Sequence, residues 1–119
     1  MASRLYSVTI DARDHAALAA FWCQALGYRV AIATPEETAI EPPDDPTDAC
    51  PALVFVPVPE GKVVKNRLHF DLAPDDQAAE VQRLVALGAR RVDIGQGEVP
   101  WVVMADPEGN EFCVLTPRT

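Results

Sequence analysis

The heptapeptide NRLHFDL, residues 66–72, places Arg67, His69 and Asp71 at alternate positions, with Leu68, Phe70 and Leu72 between them. A period of two marks a β-strand, so the three polar side chains are expected on one face of it. An imidazole beside a carboxylate can move a proton, and a guanidinium nearby can steady an oxyanion or clamp a carboxylate. The plainer alternative stays open: His69 as a half-buried imidazole bonded to Asp71 or a neighbouring strand, and Arg67 as the ion-pair partner of Asp71.

Other residues with chemistry are scattered. Cys113, beside Val114 and Leu115, reads first as a small core residue. Were His69 to face it, a lowered thiol pKa and a nucleophilic or redox role would follow. Trp101, just after Pro100, is either a wall or an aromatic platform for a planar ligand, whereas Trp22 belongs to a helix stripe. His15 reads as a solvent-exposed residue. The glycines of GQGE at 95–98 lack the strand-to-helix setting of a phosphate loop.

The frame around these residues is small. A chain of 119 residues is one ordinary domain, and 49% hydrophobic with 24% charged residues excludes a disordered chain. No apolar run approaches the roughly 20 residues needed to span a bilayer. The N-terminal residues show no apolar run ending in a small-residue cleavage site, so a cytoplasmic protein is expected. Cys23, Cys50 and Cys113 form no paired spacing, which suits a reducing compartment. A net charge of −8 repels phosphate backbones and argues against nucleic-acid binding.

Two segments carry helical periodicity. Leu18, Phe21, Trp22, Ala25 and Leu26 form one stripe, opened by Asp14 and closed by Gly27; Ala78, Val81, Leu84, Val85 and Gly88 form another, opened by Asp75 or Asp76. Strand-like runs surround them: LYSVTID, YRVAIA, ALVFVPV, NRLHFDL, RRVDI, WVVMAD and EFCVLT, with ETAIEP as a weak addition. EPPDDPTDACP reads as an exposed loop, PEGK as a turn, and DPEGNE as the turn of a hairpin.

The chain repeats itself. SVTIDARD (7–14) aligns with HFDLAPDD (69–76), so that Val8 meets Phe70, Ile10 meets Leu72 and Asp14 meets Asp76. Each copy then runs through a helix to the tripeptide ALG, at 25–27 and 86–88. The reading is an α+β chain of two βαβββ units, about 4–59 and 65–117, within one domain spanning 1–119. Each helix buries its stripe on its own sheet, against Tyr6, Val8 and Ile10 in one unit and Leu68, Phe70 and Leu72 in the other. The opposite faces hold Leu5, Ser7, Thr9 and Asp11, and Arg67, His69 and Asp71.

This order of elements, with AAFWCQALGYRV in the first unit and DPEGNEFCVL in the second, resembles the vicinal oxygen chelate superfamily of glyoxalases, bleomycin-resistance proteins and ring-cleaving dioxygenases. The stretch VPEGKVVKNRLHFDL further resembles a bacterial glyoxalase-like subgroup. The resemblance implies that the units curl into an incomplete mixed barrel whose polar sheet faces line a cavity, with Arg67, His69 and Asp71 turned inward. It also implies a homodimer.

Metal-dependent members hold a divalent cation with ligands from the first and last strands of both units. Those positions fall here on Ser7, Val56, His69 and Cys113, with Glu111 two residues before Cys113 on the same face. A hard cation wants three or more carboxylate, imidazole or carbonyl donors, and Ser7 and Val56 supply almost nothing. No cofactor is therefore expected; a metal held by His69 with Glu111 or Cys113 is the lesser reading.

The expected function is a small-molecule site, metal-independent, formed by His69 with Ser7, Arg67, Asp71, Trp101, Glu111 and Cys113. As an enzyme it would be a glyoxalase-like lyase or isomerase with His69 as general base. The alternatives are a binding protein that sequesters a drug or metabolite, for which the acidic balance and the tryptophans speak, and a divalent-metal lyase or dioxygenase. Neither a nucleic acid nor a membrane is an expected partner.

Overall fold

The computed structural model describes residues 2–44 and 50–118, and the chain divides into two compact units, Met1–Gly61 and Lys62–Thr119. Of the loop expected over 41–51, residues 45–49 lie outside the described residues.

In the first unit β1 (Ser7–Ala12), α1 (His15–Leu26), β2 (Arg29–Thr34), β3 (Glu37–Glu41) and β4 (Ala52–Pro57) follow in order. The sheet runs β1-β4-β3-β2, with β1 parallel to β4 and the other pairs antiparallel. A parallel pair needs a crossover rather than a hairpin, and α1 lies within it. Val8 and Ile10 align with Leu53 and Phe55, which align in turn with Ile40 and Thr38. That row packs against Leu18, Phe21, Trp22 and Ala25 of α1, where Phe21 and Trp22 meet edge to face at 5.2 Å. The weak strand reading ETAIEP is therefore β3, inside the sheet.

The second unit repeats the plan with β5 (Phe70–Leu72), α2 (Gln77–Leu87), β6 (Arg90–Arg91), β7 (Val102–Ala105) and β8 (Glu111–Val114), in the order β5-β8-β7-β6. Here β5 is parallel to β8. Both parallel ladders continue by one bond, Val58 N–H to Ala12 O and Leu115 N–H to Leu72 O, each 2.9 Å. The two aspartates aligned by the repeat have the same job: Asp14 accepts from the Ala17 N–H and Asp76 from the Ala79 N–H, each capping its helix. Gly27 closes α1 at φ 68, a left-handed conformation that glycine adopts without a Cβ penalty. The architecture is thus mixed α+β, with eight strands in two open four-stranded sheets and two helices among the described residues.

The expected faces need correction at three places. Tyr6 lies before β1 and is 74% exposed, and Leu68 lies before β5 and is 85% exposed, so neither packs under a helix. Ala78 and Val85 of α2 face outward, and the buried side is carried by Val81 and Leu84. Gln77 explains that rotation: its Nε2 donates to Pro100 O at 2.8 Å and Val114 O at 3.0 Å, turning this edge of the helix toward its sheet.

Candidate functional site

The polar side of the second sheet is set by the pairing of β5 with β8. Phe70 and Leu72 align with Phe112 and Val114 on the side of Val81 and Leu84, and this leaves Asp71 beside Cys113 on the other face. His69, two residues before Asp71, lies on the irregular stretch leading into β5. Its Nε2 is 3.3 Å from Asp71 Oδ1, and both side chains are about half exposed, 44% and 53%. A ring nitrogen of His69, a carboxylate oxygen of Asp71 and Cys113 Sγ all lie within 4.8 Å of one another.

NRLHFDL is thus a strand only over its last three residues. Its parallel partner β8 begins only at Glu111, next to the Phe112 that faces Phe70, and the segment ahead is held by side chains instead. The Asn66 N–H is donated to Glu111 Oε1 at 2.7 Å, and Asn66 Nδ2 to Asn110 Oδ1 at 2.9 Å. A backbone donor spent on a side-chain carboxylate is not available to a ladder. Glu111 also pairs with Lys62, both largely covered. Burial pushes its carboxyl up, but the hydrogen bonds from Lys62 and the Asn66 N–H, with the charges of Lys62 and Lys65, outweigh this and leave it below the usual glutamate range.

The thiol of Cys113 is shifted the other way. Burial raises it first, then the charge of Asp71 and a hydrogen bond with Asp71, against a smaller pull down from Lys65. Cys113 is therefore held as a thiol, opposite to the lowered pKa that an activated nucleophile needs.

The remaining candidates are placed as follows. Arg67 is exposed ahead of β5, and the ion pair at Asp71 among the described residues is with His69. Trp101 is 39% exposed immediately before β7. Ser7 opens β1 and Val56 sits in β4, both half-buried in the first unit. His15 is not simply a solvated residue: it is half-buried, with Nδ1 2.9 Å from Oγ1 of the buried Thr38. The clamp of Lys62, Asn66 and Asn110 with Glu111 is not legible in the sequence, because residues such as Asn66 and Glu111, 45 positions apart, and Lys62, further still, carry no local pattern.

Two βαβββ units with the same strand order define the fold of the glyoxalase, bleomycin-resistance and dioxygenase class, and the second unit carries a His–Asp–Cys group. The chain belongs to the glyoxalase-like domain family, whose model matches residues 7–115. Among solved structures it is similar to a glyoxalase/bleomycin resistance protein/dioxygenase family enzyme from Burkholderia phytofirmans PsJN, with 23% identity and a TM-score of 0.66 over 98% of this chain and 100% of that one. It is similar also to the fosfomycin resistance protein FosX from Mesorhizobium loti, at 16% identity, with a TM-score of 0.72 over 99% and 94%. A bleomycin resistance determinant encoded on the transposon Tn5 is 16% identical, with a TM-score of 0.61 over 98% and 100%. No curated protein matches the sequence.

The metal implied by that superfamily meets a poor donor set at its four expected positions. Val56 has no donor atom and Ser7 offers only a neutral hydroxyl, so His69 and Cys113 are left as the metal-binding types. The residues at these positions do not fit the four-ligand site.

Proposed function

We propose that this glyoxalase-like domain binds a small carbonyl compound and moves a proton at the carbon next to the carbonyl, with His69 as general base and without the superfamily's four-ligand metal. The observation that carries the reading is the 3.3 Å approach of His69 Nε2 to Asp71 Oδ1. Asp71 Oδ1 accepts the proton on Nε2, which fixes the tautomer and leaves the Nδ1 lone pair as the base. The proton passes from carbon to Nδ1, and Asp71 offsets the charge that then develops on the ring. Arg67 is the nearest cation along the chain for the enolate oxygen, and Trp101 the aromatic surface for a planar substrate.

Solvent-deuterium incorporation by NMR, across a panel of 2-hydroxy and 2-oxo carbonyl compounds, tests this. A positional base contributes about 10²–10⁴-fold, so His69→Ala should lose at least about a hundredfold of any exchange found. Unchanged exchange in that variant would remove His69 from the mechanism. Binding without exchange across the panel, read by tryptophan fluorescence, would favour the second reading, a sequestering protein. That reading is supported by the likeness in fold to the bleomycin and fosfomycin resistance proteins.

The protein is further read as a cytoplasmic homodimer. The free thiols of Cys23, Cys50 and Cys113 support a reducing compartment, and the exposed apolar side chains Val30, Ile32, Val63 and Val64 support association. Light scattering showing a monomer at micromolar concentration would overturn the latter.

A further inference from the structure

We infer that the second unit by itself holds a zinc-binding site, with His69 Nε2, an oxygen of Asp71 and Cys113 Sγ as ligands and none from the first unit. The inference grows out of the mismatch at the four superfamily positions: only two of those residues ligate here, and the third donor is Asp71, which is not one of them. It does not depend on the proton-transfer reading.

The geometry is close to what a tetrahedral ion asks for. Zinc bonds of about 2.0–2.2 Å to nitrogen and oxygen and about 2.3 Å to sulfur put ligand atoms roughly 3.3–3.6 Å apart. His69 Nε2 and Asp71 Oδ1 already stand 3.3 Å apart, and one ring nitrogen of His69, one carboxylate oxygen of Asp71 and Cys113 Sγ all lie within 4.8 Å of one another. The backbone pre-organises the group, because the β5–β8 ladder fixes Asp71 opposite Cys113 and His69 lies two residues before Asp71. The half-exposed His69 and Asp71 leave a way in from solvent and room for water as fourth ligand.

The donor types choose the ion. One thiolate and one imidazole disfavour magnesium and calcium, which take oxygen, and a mixed nitrogen, oxygen and sulfur set suits zinc. On binding, the sulfur leaves its proton to solvent. The metal then occupies Nε2, the ring proton moves to Nδ1, and Nδ1 can no longer accept. If the proton-transfer reading holds, zinc is an inhibitor of that activity; the site itself stands without it.

The test uses untagged, reduced full-length protein and Zn²⁺ alone, in competition with a chromogenic zinc chelator. Stoichiometric uptake of one ion is expected, with affinity lowered at least about tenfold in each of His69→Ala, Asp71→Asn and Cys113→Ser. Cys50→Ser, at an exposed cysteine outside the group, should bind as the parent does. No uptake, or uptake that none of the three substitutions weakens, overturns the inference. Zinc-edge X-ray absorption of the unaltered protein avoids any folding defect in the variants. One sulfur near about 2.3 Å supports the site, and a shell of nitrogen and oxygen alone overturns it. Deuterium exchange plays no part in either readout, so failure of the zinc site and failure of the proposed activity are separate results.

Discussion

The carboxylate of Glu111, at the start of β8, accepts the backbone N–H of Asn66 at 2.7 Å, across 45 residues of chain. Lys62 closes on the same carboxylate, and Asn110, itself held by Asp106, takes the side chain of Asn66. The segment that delivers His69 to Asp71 is therefore tied down at its start by the hairpin that carries Cys113. Glu111, expected on sequence grounds as a ligand-binding residue, is engaged with this structural clamp.

Glu111→Gln removes the charge from a mostly covered ion pair and leaves Lys62 without its counter-ion. A loss of about 1–3 kcal/mol is expected, the range for a covered polar group left unsatisfied. Thermal melting checks the magnitude. Amide chemical shifts should move over 62–69 more than in β7, and an unchanged 62–69 segment would count against the clamp.

Acid stability should reflect Glu80 of α2. The hydrogen bond from Arg83, at 2.7 and 2.9 Å, comes first in lowering its pKa, against burial, with the Arg83 charge adding to it. A group with a depressed folded pKa contributes stability above the ordinary glutamate range and loses it as pH falls through the folded value. Arg83 is 46% exposed, so solvent screens the pair and about 0.3–0.5 kcal/mol is expected. Glu80→Gln should lose about that amount at neutral and alkaline pH and nothing below the folded pKa, so that the acid side of the profile flattens, as chemical denaturation across pH would read.

The two helix caps should prove equivalent. Asp14→Ala and Asp76→Ala each remove a side-chain acceptor from a helix N-terminus, at a cost of about 1 kcal/mol. Asparagine at either position should recover most of it, since its side-chain oxygen still accepts. Chemical denaturation of the four variants reads this directly.

Leu68 and Phe112 separate the observed strand from the longer one expected. Phe112→Ala empties a fully buried site and should cost about 3–5 kcal/mol. Leu68→Ala, at an exposed position, should stay within about 0.5 kcal/mol. A large loss at Leu68 would mean that β5 begins earlier than Phe70.

The helices, the caps at Asp14 and Asp76, the stop at Gly27 and the order of both units could be read along the chain. All depend on neighbours within a few residues, and local hydrogen bonds and a 3.6-residue period leave their mark there. His69 and Asp71 could be singled out for the same reason, as polar positions in an alternating run. Tertiary structure alone decided which residues joined them. Asp71 stands beside Cys113 because β5 and β8 pair in parallel, a register set by apolar packing of Phe70 and Leu72 against Phe112 and Val114. β5 begins only at Phe70 because its parallel partner β8 begins at Glu111, and the bond from the Asn66 N–H to Glu111 joins positions so distant in sequence that it writes no period into either segment.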